Sequence, residues 1–152
     1  MTDATASSMD ALAIDAFLEA QQVGVLALAD DGNPYAIPMS FAYGPEDRSI
    51  YLRLGYAPGS QKRRYVAATD GVRFVVYDDT AEGWKSVVVE GHLEEVTADS
   101  LSSSIREAVE DLEIPVFAVF DRPTEEVEFH VGRIEVSGMT GIEAGSRLGG
   151  GA

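Results

Sequence analysis

The chain has 152 residues, 45% of them hydrophobic, with 26 Asp plus Glu against 11 Lys plus Arg, a formal net charge of -15 and no cysteine. A chain of this length buries roughly two-thirds of its unfolded surface, so one domain can stand without a metal or disulfide staple, and the lack of cysteine excludes disulfides, thiolate metal sites and cysteine nucleophiles. The acid excess disfavours nucleic acid, whose phosphates demand a basic face, and no apolar run approaches the ~18 residues of a membrane span.

Lysine occurs only at Lys62 and Lys85. Replacing flexible ammonium groups by solvated carboxylates suits a surface bathed in concentrated salt, where the Debye length falls to about 3 Å. The composition therefore points to a salt-accumulating halophile. The opening MTDATASSMD carries acid where a signal peptide needs base, which makes the cytoplasm the expected location.

Residues 1–8 read as a flexible N-terminal tail. Ser7 and Ser8 then precede MDALAIDAFLEAQQ, whose Met9, Leu12, Ala13, Phe17 and Leu18 recur at helical spacing and predict one amphipathic helix. VGVLALAD, YAIPMSFAY and SIYLRL follow, separated by the turns DDGNP and GPED, and predict a three-stranded antiparallel meander. A short helix from Gln61 to about Ala68, the strand VRFVVYD and the long strand WKSVVVEGHLEEV come next. A further helix over DSLSSSIREAVEDL is expected to start at an Asp99 N-cap and to end before Pro115. PVFAVF is a weaker strand candidate and EVEFHVGRIEVSG the last strand, while 145–152 reads as a disordered Gly-rich tail. Short antiparallel strands remove their edges by closing, so residues 9–144 are expected to form a mainly β domain, an antiparallel six- to seven-stranded barrel with two or three peripheral helices.

The stretch YAPGSQKRRYV concentrates Lys62, Arg63 and Arg64 in an acidic chain. If Ser60 caps the short helix, these cations sit at the end where the helix dipole favours anions. A phosphate would accept the free first-turn N–H groups, the Ser60 hydroxyl and the Lys62 ammonium together. The other reading is a surface network in which neighbouring carboxylates neutralise the triplet. Along YAIPMSFAY one face carries Tyr35, Ile37, Met39, Phe41 and Tyr43 and the other only Ala36, Pro38, Ser40 and Ala42. The small-residue face is either a shelf for a planar ring or a site of close helix packing, and Pro38 argues for an edge or interrupted ladder. In WKSVVVEGHLEEV, Val87, Val89, Gly91 and Leu93 suit a barrel interior, whereas Trp84, Ser86 and Val88 form an outer face too apolar for open water, as an interface between subunits would be. Lys85 is either a strand-edge gatekeeper or a second anion contact. His92 and His130 read as strand residues with ordinary hydrogen bonds, no metal site is expected, and no catalytic acid or base stands out.

In this order, the motifs VGVLALADDGNPYAIPMSFAY, IYLRLGYAPGSQKRRYV with its Gly-x-x-Lys turn, GVRFVVYD, WKSVVVEGHLEEV and GRIEVSGMTG resemble the pyridoxamine 5'-phosphate oxidase-like family of FMN-binding split barrels, particularly its small archaeal and bacterial branch. The resemblance spans about residues 10 to 141. It implies a homodimer with FMN at the subunit interface. Pro38, Met39 and Ser40 would line the isoalloxazine, mainly through backbone, and Arg53 and Leu54 would flank the ribityl chain. Ser60, Gln61 and Lys62 would hold the phosphate, and Trp84, Lys85 and Ser86 would lie beside the flavin, with Lys85 where the family more often has arginine. The chain shows no counterpart of the C-terminal substrate region of the vitamin-making oxidases. An FMN-dependent oxidoreductase acting on a small molecule is the first reading. The alternatives are a deazaflavin coenzyme-dependent reductase, with Arg63 and Arg64 meeting an acidic tail, and a non-enzymatic flavin- or haem-binding protein.

Overall fold

The computed structural model describes residues 6–56, 58–112 and 128–145. Within them the order is β1 (Ala6–Ser8), α1 (Ala11–Ala20), β2 (Val23–Asp30), β3 (Asn33–Gly44), β4 (Ser49–Tyr56), α2 (Gln61–Ala68), β5 (Val72–Thr80), β6 (Gly83–Val96), α3 (Ser103–Glu110) and β7 (Glu128–Ala144). The strands run β1-β7-β4-β3-β2-β5-β6, all antiparallel, and β6 also pairs with β7. That last pairing closes a six-stranded barrel, so the mainly β, split-barrel expectation holds. No helix among the described residues is long and apolar enough to cross a membrane.

Alternation along the strands fills the barrel. Phe41, Leu52, Leu54, Phe74 and Val87 are buried, and the Phe41 and Phe74 rings meet edge-to-face at 5.2 Å. The Asp31-Gly32 turn between β2 and β3 has φ of 51° and 82°, the double left-handed geometry that matches the twist of a two-residue hairpin. Gly91 sits at the bulge where β6 shifts register against β7, and a Cβ there would run into the Glu135 carbonyl oxygen.

Several expectations change. Ala6–Ser8, assigned to the tail, pair with Ile142 to Ala144 of β7. With Ser7 and Ser8 used by β1, the cap of α1 is Asp10, whose carboxylate accepts from the Ala13 N–H at 2.8 Å. The helix buries Ile14, Phe17 and Leu18 and leaves Leu12 80% exposed, because the i, i+3, i+4 stripe facing the barrel starts at Ile14. Ser102 rather than Asp99 caps α3, since Ala98–Ser100 form a 3-10 turn ahead of it. β7 continues six residues past Gly138, held by β6 on one edge and β1 on the other. PVFAVF and nearly all of the Gly-rich tail lie outside the described residues.

Candidate functional site

β2 pairs with β3 over Asn33 to Ser40, whereas β4 pairs with β3 only over Phe41 to Gly44. Beyond Leu52, β4 keeps its partner β7 as far as Tyr56 but leaves β3. Among the described residues, one edge of Asn33 to Ser40 and one edge of Arg53 to Tyr56 therefore lack a strand partner, and this is the split of the barrel. The Phe41 N–H donates to the Gln22 carbonyl, towards β2, so by alternation even-numbered residues of β3 turn their backbone groups to the split. Both strand prolines, Pro34 and Pro38, are even-numbered. Their missing N–H groups fall on the edge that has no ladder to lose.

Helix α2 lies at this split. Its Tyr65 ring stacks on Tyr35 of β3 at 4.9 Å, and Thr69 at its end exchanges hydrogen bonds with the backbone of Ala29 on β2. Gly59, at φ 72°, makes the left-handed turn into it. Ser60 is the N-cap, its hydroxyl accepting from the Arg63 N–H at 3.3 Å. The Gln61 and Lys62 N–H groups are then first-turn donors with no partner within the helix.

The basic triplet fans out from that turn. Lys62 Nζ donates to the Gly55 carbonyl on the open edge of β4 at 2.9 Å, and burial pushes its pKa down. The Arg63 guanidinium lies 5.2 Å over the Tyr56 ring, and Arg64 lies 5.5 Å over Tyr65. Among the described residues neither Lys62 nor Arg64 has a carboxylate within ion-pair distance, so a network of acids does not account for them. Tyr56 is buried, and among the described residues its hydroxyl has no hydrogen-bond partner. Burial, and secondarily the Glu95 carboxylate, push its pKa up to about 12 against the opposing pull of Arg63. Glu95 in turn meets His130 Nδ1 at 3.3 Å, while His92 Nδ1 contacts the Asp70 carbonyl at 2.8 Å.

The expected site residues divide into two groups. Pro38, Met39, Ser40, Arg53, Leu54, Ser60, Gln61 and Lys62 all border the split. Met39 and Leu54 turn their side chains into the core, and by the same alternation their backbone polar groups turn to β2 and to β7 rather than to the split. Arg53 points outward, its guanidinium 4.7 Å over Phe129, on the wall of a cleft of about 330 Å³ that also includes Val109 and His130. Trp84, Lys85 and Ser86 are not part of this group within one chain. Pro38, Val25, Val75 and Val88 form one transverse row on the outer face, so β6 stands three strands, roughly 14 Å, from β3. Lys85 is half-buried and meets Glu82 at 3.9 Å, and β6 is paired there on both edges, with Asp78 of β5 and Glu143 of β7, so it does not sit at a free strand edge.

That outer row is apolar, as the alternation predicts. On the outer face around it Val23, Tyr77, Trp84, Val88 and Ile142 are all exposed, and the Tyr77 and Trp84 rings stack at 5.4 Å. A cleft of about 520 Å³ opens over Val23, Val25, Pro38 and Tyr77, so the outer face of β3 is open at Pro38, whereas Ile105 of α3 lies against Gly44 at the far end of the strand. Tyr56 and the Gly55 carbonyl were not foreseen. They meet Arg63 and Lys62 from seven residues back, through a turn whose path no local pattern specifies.

A family model described as pyridoxamine 5'-phosphate oxidase matches residues 10–143. No curated protein matches the sequence. Among solved structures, an FAD-binding protein from Mesorhizobium loti is 28% identical with a TM-score of 0.70, the match covering 93% of this chain and 98% of that one. An FAD-binding protein from Mycobacterium smegmatis shares the fold at 17% identity and a TM-score of 0.61, over 91% and 98% of the two chains. A haem-binding protein from the same organism does so at 20% and 0.61, over 86% of this chain and 53% of that one. With the family model spanning the whole barrel from α1 to β7, the chain belongs to the pyridoxamine 5'-phosphate oxidase family.

Proposed function

We propose that this chain binds FMN along the split between β3 and β4, as a homodimer that completes the site, and serves as an oxidoreductase for a small molecule. The observation that carries the reading is the first turn of α2. Two backbone donors, a capping serine and a half-buried lysine that has no carboxylate partner among the described residues converge there, a donor set suited to a phosphate dianion. Ser60, Gln61 and Lys62 would hold the phosphate, and Arg53 and Leu54 would border the ribityl chain. Pro38, Met39 and Ser40 would line the ring, with Pro38 and Ser40 on the flat outer face of β3. When bound, the flavin supplies the hydride and electron chemistry; the protein contributes position, charge and exclusion of water.

The apolar row on β2, β5 and β6 supports the dimer, since a second copy seated there removes Tyr77, Trp84 and Val88 from water. It also supports assigning Trp84, Lys85 and Ser86 to the partner's flavin, three strands being too far for one ligand edge. A cytoplasm rich in salt is the setting that the charge of -15 and two lysines suggest. The 28% identical FAD-binding relative favours FAD as the second reading. Mass and absorbance of the ligand extracted from purified protein distinguish FMN from FAD, deazaflavin and haem. Turnover with reduced nicotinamide then separates an enzyme from a carrier. A protein that retains no flavin and binds none at saturation overturns the proposal.

A further inference from the structure

We infer that the cleft between β4, β7 and the end of α3 is a binding site for a small molecule that carries a single carboxylate on an aromatic or apolar body, with Arg53 as its anchor. The inference does not depend on flavin at the split. β4 turns one edge to the split and its outer face to this cleft, so the two sites share a strand but are read by different ligands.

Strand pairing builds the anchor. Arg53 lies opposite Val131 and Gly55 opposite Phe129, so by alternation Arg53, Phe129 and Val131 share the outer face of the β4–β7 pair. Gly55 brings no side chain to that face, and the Phe129 ring meets its diagonal neighbour Arg53, whose guanidinium lies 4.7 Å from the ring centroid. This contact leads the charged head toward β7, the side of β4 opposite the split. Val109 of α3 and Val131 supply apolar walls. The volume of about 330 Å³ falls within the roughly 300 to 1,000 Å³ that small-molecule pockets span.

Acids are not scarce in this chain, with 26 Asp plus Glu against 11 Lys plus Arg, and Arg48, Arg73 and Arg133 each meet a carboxylate. Arg53 does not. It is half-buried, and among the described residues its guanidinium makes no ion pair or hydrogen bond, only the contact with the Phe129 ring. A guanidinium whose face rests on an aromatic ring still directs its in-plane N–H groups outward, in the fork that matches both oxygens of a carboxylate. The other charged group lining the cleft, Glu110, is exposed. Its negative charge opposes a dianion such as phosphate and leaves a monoanion as the fitting ligand. His130 lies opposite Leu54, and its imidazole is engaged on the inner face by Glu95 and the Tyr56 ring.

The test is titration of the full chain with benzoate and with its neutral counterpart benzamide, followed by NMR shifts of the backbone amides and of the Arg53 Nε–H. Benzoate is expected to bind about ten-fold more tightly than benzamide, with the largest shifts at Arg53, Val109, Phe129 and Val131. Arg53→Gln removes that preference and leaves benzamide binding in place, while Arg53→Lys, which keeps the charge but not the fork, retains only part of it. Benzoate that shifts none of these residues, binds no better than benzamide, or keeps its preference in Arg53→Gln overturns the proposal. Shifts confined to the first turn of α2 do so too, since they assign the carboxylate to the donors there. The wild-type comparison and its shift map decide the matter even where Arg53→Gln does not fold. The titration reads this cleft with or without flavin, so its failure leaves the flavin reading standing, and a protein that binds no flavin leaves this inference standing.

Discussion

Lys62→Met is the sharpest perturbation of the proposed site. Methionine keeps the stem packed beneath α2 and removes only the ammonium, whose contact with the Gly55 carbonyl leaves further N–H donors for a ligand. A hydrogen bond from a charged group contributes about 1.5 to 3 kcal/mol, so FMN should bind roughly 10- to 150-fold more weakly while riboflavin binding changes little. The pH dependence gives an independent check. Burial places the folded pKa of Lys62 below its ordinary 10.5, so between the folded pKa and 10.5 the unfolded chain holds the proton more often than the folded one. In that window rising pH relieves the burial penalty and raises the stability of the ligand-free protein, while the same deprotonation weakens FMN binding. Neither trend survives in Lys62→Met. Isothermal titration with FMN and riboflavin, with chemical unfolding across the alkaline range, measures both. Equal FMN affinity in the two proteins refutes the assignment of Lys62 to the phosphate.

Val88→Glu places a carboxylate in the middle of the outer apolar row, and light scattering is expected to show monomers that also lose flavin; a flavin-loaded dimer would contradict the proposed interface. Unfolding followed by circular dichroism should show the fold weakening as salt is withdrawn, because a net charge of -15 is then unscreened; stability that does not depend on salt counts against a halophilic setting. Gly91→Ala forces a Cβ onto the Glu135 carbonyl oxygen at the β6 bulge and should destabilise the protein by about 1 to 3 kcal/mol, read as a fall in melting temperature, with an unaltered value dismissing the steric argument.

Much of the barrel is legible in local pattern. The bounds of β2 and of α2 follow from apolar runs and turn residues, and the two faces of β3 and β6 from strict alternation. The errors have local causes of a different kind. Ser7 and Ser8 are good caps in isolation, but β7 recruits them as strand, and Asp99 loses its helix start to Ser102 because a 3-10 turn intervenes. Of the site residues, the Ser60 cap and the small-residue shelf were readable from the residues alone. Strand parity turns the side chains of Met39 and Leu54 inward, for Met39 as the alternation along β3 predicts.

The sequence by itself determined that this chain would be an antiparallel barrel with a cationic helix start after its third long strand, because propensity, alternation and capping act over a few residues. Only the tertiary structure decided that β4 parts from β3 after Leu52, and that Lys62 and Arg63 settle on Gly55 and Tyr56. It also placed Trp84 three strands away from Pro38. Those outcomes depend on register and closure, which are set by how all the strands share one core rather than by any stretch of residues alone.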